Sequence, residues 1–597
     1  MISFAIINNH HVILTTSPMT LSTVSKTEGL NERQIDVVKR TTGPLLVVAG
    51  PGSGKTLAII RRIAGLIQQG VTPESILAVT FTNRAAREMR ERLFGLLGAT
   101  SYKVFVGTLH LLGLRIIREN TTNGFVVFNR EEQVGLLQSL LQVSKAKATD
   151  IADEISHIKG LALDPSSELK EIFEQYQTTM MANKALDFDD LILKPIRMLD
   201  NSSQLKKYSD SFHHIIIDEY QDINPAQYRL LRLLVGDKTT ICAVGDPDQA
   251  IYAFRGADVE NFLNFRKDFV GATEVTLNLN YRSSGNIVRS SAKMIMHNKK
   301  RIEKELLAVK SDGPMIVVAS VSDEEAEGEF IVHEIESRLG GLSHYRLQNQ
   351  INEKDYPNTS YCFSDFAVIF RTNSQARAIE ERLAESGIPC RLVGRGNTGS
   401  GAKTYDMASS LRRFSSSIEN RSQLFETKAT EFLEYFARNC QIDSDQIKDF
   451  INHIKLIFGD AWSETMAGDI VNELNLLAPS DDFDRRAEAV ALMTLHMAKG
   501  LEFKVIFISG VEDGFIPYRK GNGPVDLEEE RRLFYVGMTR AKDELFLLNK
   551  RTGFIYGKKT TRSPSPFLSD IPEAYIQKIS LPDRGKKPYR KQQMKLF

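Results

Sequence analysis

The sequence predicts an α/β protein built on two parallel sheets, each covered by helices and each interrupted by a mainly helical insertion. Two observations carry that prediction. Short apolar runs rich in β-branched residues alternate with longer amphipathic stretches, as parallel strands joined by crossover helices require. The alternation also occurs twice, and each set is broken once by a long stretch with helical patterning.

Residues 1–29 read as an N-terminal extension, with Met1 or Met19 as the start. The first set of strands is "LLVVA" (45–49), "ILAVTF" (76–81), "HIIID" (214–218), "ICAVG" (241–245) and "EVTLNL" (274–279). It divides into 30–112 and 186–279 around a helical insertion at 113–185. The second set is "MIVVAS" (315–320), "FAVIF" (366–370), "ALMTL" (491–495), "KVIFISG" (504–510) and "ELFLL" (544–548). It divides into 280–397 and 486–579 around an insertion at 398–485. Residues 340–360 are polar and turn-rich, the composition of a surface loop. Residues 580–597 form a basic tail with little apolar content, which favours flexibility.

The chain has 597 residues, 42% of them hydrophobic and 25% charged, enough length for several cores. Its net charge of +1 means that a nucleic-acid surface must come from local placement of charge. Cys242, Cys362, Cys390 and Cys440 are far apart and form no CxxC pair, which disfavours a zinc ribbon, an iron–sulfur cluster or a disulfide framework. No apolar run reaches the length of about 18 residues that a membrane span needs, and no signal peptide is visible, so a reducing cytoplasm is expected.

"AGPGSGKT" (49–56) follows a strand and precedes an amphipathic run, the setting of a phosphate-binding loop. Gly50, Gly52 and Gly54 let backbone N–H groups, that of Ser53 included, turn toward phosphate oxygens, and the helix N-terminus behind them favours negative charge. Lys55 is placed to reach the β- and γ-phosphates of ATP, and Thr56 to ligate Mg2+. "HHIIIDEYQD" supplies the complementary half. Its strand ends in Asp218, a carboxylate for the Mg2+ sphere, followed by Glu219 as candidate base for the attacking water. Arg282 in "NYRSS" and Arg540 in "VGMTRAKD" are candidates for stabilising charge on the γ-phosphate across a domain boundary. With a single phosphate-binding loop in the sequence, one ATP per chain is expected.

"VGDPDQAIYAFRGA" (244–257) begins as nucleotide chemistry and ends in Tyr252, Phe254 and Arg255. Aromatic faces followed by a cation suit stacking on bases of a single strand; read without context, the same aromatics suit core packing.

Together with these stretches, "LNERQ" (30–34), "AVTFTNRAAREM" (78–89), "GTLH" (107–110), "DFDDL" (187–191), "LNYRS" (279–283), "FRTNSQAR" (370–377), "TLHMAKGLEF" (494–503) and "VGMTRAKD" (536–543) stand in the order found in one family. From about Leu30 to Pro572 the chain resembles the UvrD/Rep/PcrA family of superfamily 1 DNA helicases. The resemblance implies two RecA-like motor domains, 1A and 2A, with insertions 1B and 2B. It implies that Gln34 and Tyr281 hold the adenine and Glu502 the ribose, and that Gln249, Arg282 and Arg540 sense the γ-phosphate. DNA contacts are implied at Phe81, Asn83, His110, Phe188, Tyr252, Phe254, Arg255, Arg371, Asn373, His496 and Tyr556. The activity implied is ATP-dependent 3′–5′ movement on single-stranded DNA and unwinding at single-strand/duplex junctions, in repair, recombination or replication restart.

The chain also departs from the pattern of the family it resembles. Phe254 stands where many relatives carry tryptophan, Leu109 where an aromatic is usual, and Ala250 where serine is common. The interval between "RLVGRG" (391–396) and "TLHMAKG" is about 100 residues, so the 2B insertion is expected to be reduced. A reduced 2B points to good translocation, with unwinding dependent on accessory repair proteins or on protein number. A DNA-stimulated ATPase that strips proteins, and a nucleotide switch that controls partner binding, are the competing readings. A helicase–nuclease is disfavoured by the short remainder after the motor. Last, Gln593, Met594, Leu596 and Phe597 in "QMKLF" resemble the peptide by which bacterial proteins dock on the sliding clamp.

Overall fold

The computed structural model describes residues 28–121, 124–200, 202–339, 361–393, 428–440, 451, 467–476, 488–519, 525–555 and 558–582. Tyr556, the tail residues Gln593, Met594, Leu596 and Phe597, and most of 398–485 lie outside them. In chain order the strands are β1 (Leu45–Ala49), β2 (Ile76–Val79), β3 (Phe105–Gly107), β4 (Val126–Val127), β5 (Ala185–Leu186), β6 (His214–Ile217), β7 (Thr240–Gly245), β8 (Thr273–Leu277), β9 (Leu279–Asn280) and β10 (Leu307–Ala308). They continue with β11 (Ile316–Val321), β12 (Phe366–Phe370), β13 (Cys390–Leu392), β14 (Val490–Thr494), β15 (Phe503–Ile508), β16 (Ala541–Lys550), β17 (Thr552–Ile555), β18 (Lys558–Thr561) and β19 (Ile576–Ser580).

Six strands form one sheet in the order β3-β2-β6-β7-β1-β8 and seven form another in the order β13-β14-β12-β15-β16-β11-β19. Every neighbouring pair in both is parallel. Such sheets need apolar cover on both faces, and alternate residues of each strand supply it. In β1, Leu46 and Val48 join Leu77, Ile215 and Ile217 on one face, whereas Leu45, Val47 and Ala49 join Ile76, Ala78 and Ile216 on the other. In the second sheet, Ala367 and Ile369 of β12 join Met493 and Ile506, while Phe366, Val368 and Phe370 join Leu492 and Phe507.

Helices Arg130–Leu141, Lys145–Leu161 and Ser167–Ala182 pack around a core of their own, with Leu137, Ala152, Ile155 and Tyr176 fully buried. The β4–β5 pair closes this layer where the chain leaves and rejoins the first sheet. Helix Ala467–Asn475 reaches the same place: Asn472 Oδ1 accepts from Val127 N at 2.8 Å and its Nδ2 donates to Phe125 O at 2.9 Å.

The apolar run "EVTLNL" reads as one strand but divides in two. β8 pairs with β1, and after Asn278 the chain turns away so that β9 pairs with β10 beside the phosphate loop. Of the strands in the two large sheets, β3, β13 and β19 escaped the reading of apolar runs. β19 is an edge strand bonded only to β11, and its sequence IQKIS is correspondingly mixed.

Candidate nucleotide and nucleic-acid site

β1 runs directly into Gly50–Gly54, and helix Lys55–Gln68 begins behind it. Gly52 and Gly54 hold φ of 66° and 79°, in the left-handed region that favours glycine. A side chain at Gly52 would also meet Arg282 Cβ at 2.6 Å. Three successive carbonyls of the loop are held from outside. Pro51 O accepts from Asn280 Nδ2 at 2.7 Å, Gly52 O from Tyr281 N at 2.9 Å and Ser53 O from Gln34 Nε2 at 2.9 Å. In a trans peptide the following N–H points the opposite way, so the N–H groups of Gly52, Ser53 and Gly54 turn inward, toward the helix N-terminus. That arrangement suits an anion. Ser53 itself donates its hydroxyl to Gly50 O at 2.7 Å, so its share in such a site is its backbone. Thr56 is half-buried on the first turn, next to Lys55.

Gln34 is buried at the start of helix Glu32–Lys39, where Asn31 caps the helix. Asn31 N donates to Gln34 Oε1 at 3.1 Å, and Asn31 Nδ2 donates to Tyr281 Oη at 2.8 Å. Tyr281 is 43% exposed, leaving ring surface open beside the loop. An amide edge and an aromatic face are thus held together at the mouth of the site, the two groups a purine needs.

Asp218 and Glu219 follow β6. Glu219 sits at φ 53°, a left-handed conformation that costs a non-glycine residue of order 1 kcal/mol or more and marks a constrained position. Lys55 Nζ lies 3.4 Å from Glu219 Oε1, Gln221 Nε2 donates to Oε2 at 2.5 Å, and Lys499 Nζ is 3.8 Å from that oxygen. Burial alone would raise the Glu219 pKa, but Lys55 and Lys499 outweigh it and hold the carboxyl down at about 2. Asp218 moves the other way, pushed up to about 7 by burial and then by the charge on Glu219. A buried carboxylate destabilised by a neighbouring one fits a site for a divalent cation, which would offset both effects.

The second sheet contributes from its strand beginnings. Arg540, just before β16, is buried and donates from a terminal nitrogen to Gln249 Oε1 at 3.0 Å. Burial, then Arg282, lowers it to about 9, which leaves it cationic at neutral pH. Glu502, just before β15, accepts from Arg282 Nε at 2.7 Å and lies 2.7 Å from Lys542 Nζ. Gln249 is held at three points: its Oε1 by Arg540, its Nε2 by Asp246 Oδ2 at 2.6 Å and its carbonyl by Lys499 Nζ at 2.8 Å.

Five residues after Gln249 stands Phe254, 58% exposed, with its ring edge-on to His496 at 5.3 Å. The Tyr252 ring lies beside it, centroids 6.0 Å apart, but is half-buried. Tyr252 stacks on Phe81 at 4.7 Å, has Lys499 Nζ 5.1 Å from its ring centroid and packs against the second sheet's core. Arg255 lies 5.8 Å and 5.6 Å from the two ring centroids. His110 and Phe188 meet edge to face at 6.2 Å. Burial holds His110 at about 4 and His496 at about 3, with nearby arginines adding to both, so both rings are neutral. Asn83 Nδ2 donates to Leu476 O at 2.8 Å. Arg371 pairs with Glu530 at 2.7 Å and lies 4.8 Å from the Tyr518 ring centroid, while Asn373 is exposed in the turn after β12.

The "DFDDL" stretch has a second feature. Lys159 Nζ, from the helical insertion, donates to Asp187 Oδ2 at 2.6 Å and Asp190 Oδ1 at 2.7 Å, and Tyr176 Oη donates to Asp187 at 2.9 Å. This buried cluster fixes the turn that carries Phe188.

Sequence reading missed Lys499, which also bonds to Asp222, and Gln221, whose Oε1 accepts from Asp246 N at 3.0 Å. Both lie within stretches singled out for other residues. Their signal was a polar side chain inside an otherwise explained motif.

Two family models match the chain: the UvrD/REP helicase N-terminal domain over residues 30–270, and the UvrD-like helicase C-terminal domain over residues 275–398 and 401–552. The ATP-dependent DNA helicase PcrA of Bacillus subtilis (strain 168) is 30% identical over 665 residues, covering 92% of this chain and 87% of that protein. PcrA of Staphylococcus aureus (strain MRSA252) is likewise 30% identical, with the same coverage. PcrA of Leuconostoc citreum is 32% identical, covering 92% of this chain and 86% of its own. With both halves of its α/β architecture matched, the chain belongs to the UvrD/Rep family of ATP-dependent DNA helicases.

Proposed function

We propose that this helicase moves 3′ to 5′ along single-stranded DNA, driven by ATP hydrolysis with Mg2+, and opens single-strand/duplex junctions. The observation that supports the reading most is the loop from Asp246 to Ala257. Gln249 meets Arg540 from the second sheet, and five residues later Phe254 presents an exposed ring beside His496. One backbone thereby joins a phosphate sensor to a base-stacking surface.

In this reading the inward N–H groups of Gly52, Ser53 and Gly54, with Lys55, bind and orient the phosphates. Gln34 and Tyr281 hold the base, and Glu502 the ribose. Glu219, ionised and held by Gln221, takes the proton of the attacking water; Arg540 and Arg282 meet the charge that develops on the γ-phosphate. Thr56 and Asp218 would hold Mg2+, which supplies electrostatic stabilisation of the phosphate oxygens. Phe81, Asn83, His110, Phe188, Tyr252, Phe254, Arg255, Arg371, Asn373, His496 and Tyr556 make the DNA track. Tyr252 serves it as a support for Phe254 and Phe81. The 3′–5′ polarity and a role in repair, recombination or replication restart in the cytoplasm rest on the family resemblance. Among the described residues no helix is long and apolar enough to cross a membrane.

The units carry over as domain 1A at 30–112 and 186–279, 1B at 113–185, 2A at 280–397 and 486–579, and a reduced 2B at 398–485. The match to the B. subtilis relative spans 665 residues against a chain of 597, so that relative holds stretches with no counterpart here. With 2B reduced, unwinding depends on an accessory protein or on protein number more than translocation does. The tail at 593–597 is a sliding-clamp ligand in this reading; its removal should abolish clamp pull-down and leave ATPase unchanged.

Translocation on oligonucleotides fluorescently labelled at either end tests the proposal. The protein should leave the 5′ end with ATP, and Glu219→Gln should bind DNA and nucleotide yet fail to move. Departure from the 3′ end, or wild-type turnover by Glu219→Gln, overturns it.

A further inference from the structure

The segment after helix Gly285–Ile295 turns two cations inward, onto the loop that carries Gln249. Arg301 grips Asp248 with two nitrogens, Nε to Oδ1 at 3.1 Å and a terminal nitrogen to Oδ2 at 2.9 Å. Lys304 Nζ donates to Asp246 Oδ1 at 2.7 Å and to Asp248 Oδ2. The side chains of Lys304, Asp246 and Asp248 are no more than 1% exposed. Two carboxylates and two cations balance, so the cluster closes without net buried charge.

The Asp246 carboxylate is divided between two tasks. Oδ1 takes Lys304 together with the Asp248 N–H at 3.1 Å, which leaves Oδ2 to the Gln249 Nε2. An amide whose NH2 is fixed on a carboxylate must turn its oxygen away, and here that oxygen receives Arg540. The same segment touches the nucleotide site twice more. Leu306 lies where a Cβ on Gly50 would collide, and Leu307 and Ala308 pair with Leu279 and Asn280, immediately before Tyr281.

We propose that Lys304 is a positioning residue for ATP hydrolysis: by saturating one oxygen of Asp246 it fixes which way the Gln249 amide faces, and so whether Arg540 and the γ-phosphate meet its oxygen or its NH2. Without the lysine, Asp246 has a buried charge short of a donor, takes up a proton or other donors, and frees the amide to turn over. The inference rests on the reading of Gln249 as the phosphate sensor.

A cycle of Lys304→Met, Gln249→Ala and the double variant tests it in the full-length protein, with DNA-stimulated kcat and the KM for ATP both measured. Lys304→Met should lower kcat about tenfold to a hundredfold and leave KM within about twofold, since Lys304 bonds to Asp246 and Asp248 and leaves in place the loop, Gln34 and Tyr281 that hold the nucleotide in this reading. In the Gln249→Ala background the same change should cost nothing further. Wild-type kcat in Lys304→Met, a KM that rises as kcat falls, or losses that multiply in the double variant would each overturn the inference. Wild-type turnover in Gln249→Ala alone would instead sink the sensor reading beneath it. Should Lys304→Met fail to fold, Lys304→Gln, which keeps a donor for Asp246 but no charge, should hold kcat within about threefold of wild type, and a tenfold loss in it would overturn the inference.

Discussion

The two parallel sheets share an architecture and use opposite ends of it. In the first, the residues proposed for nucleotide and for DNA both follow strands: Lys55 after β1, Asp218 after β6 and Gln249 after β7 on one side, Asn83 after β2 and His110 after β3 on the other. In the second, the residues proposed for DNA follow strands, Arg371 after β12 and His496 after β14, but Glu502 and Arg540 precede β15 and β16. A strand end that binds phosphate needs a glycine loop and a helix N-terminus. A strand start that only delivers a guanidinium needs neither. The second sheet can therefore lack a phosphate-binding loop and still complete the site, provided its strand beginnings face the first sheet's strand ends.

The largest effect that sharpens this comparison is at Arg540. If the second sheet acts through its strand starts, Arg540→Ala should cut turnover by about 10³ or more while ATP affinity stays close to wild type. Steady-state kinetics beside nucleotide binding would show it, and a loss confined to affinity would break the comparison. A smaller effect separates the two aromatics of the shared loop. Phe254→Ala should weaken single-strand binding by about 1 to 3 kcal/mol and spare ATPase without DNA. Tyr252→Ala removes a ring packed between Phe81 and Lys499, so it should lower the melting temperature as well; equal melting temperatures in the two variants would mean that Tyr252 does no supporting work.

The smallest effect concerns the two histidines that follow β3 and β14. Each keeps a native pKa below its ordinary 6.5, at about 4 for His110 and about 3 for His496. The unfolded chain takes up those protons first as pH falls through 6.5, so folding stability drops with acidification, by at most about 1.4 kcal/mol per pH unit per histidine. His496→Gln should flatten the fall of melting temperature between pH 6.5 and 4.5. An unchanged slope would mean the ring is solvated and free to charge.

How much of this was legible in the sequence depended on where a residue's partners lay. The glycine loop was readable because its left-handed backbone favours glycine directly after a strand, and Asp218 and Glu219 because two carboxylates stand where an apolar strand ends. β12 and β15 were readable because strands buried on both faces are apolar throughout. Lys304 and Arg301 carried no signal: "KKRIEKE" reads as a solvated charged face, and only the approach of Asp246 and Asp248, more than fifty residues away in the chain, makes it an interior. The pairing of Tyr252 with Phe254 could be read from their spacing, but not that Tyr252 would be the more buried of the two rings. β19 was hidden because an edge strand bonded on one side need not be apolar.

Ile251 belongs by sequence to the loop after β7, yet its side chain is fully buried in the core of the second sheet, among residues such as Ile287, Leu495 and Leu533. Helix Leu527–Met538 holds the same stretch by its backbone, Arg532 Nε donating to Ala250 O at 2.9 Å and Glu529 Oε1 accepting from Ala253 N at 3.0 Å. The two halves are consequently not interchangeable modules. A C-terminal half expressed alone would carry a socket the size of an isoleucine with nothing to fill it, and an N-terminal half would hold out the plug. The seam between the halves thus runs through the second sheet's core and not along its surface, so cutting the chain there exposes apolar surface on both pieces.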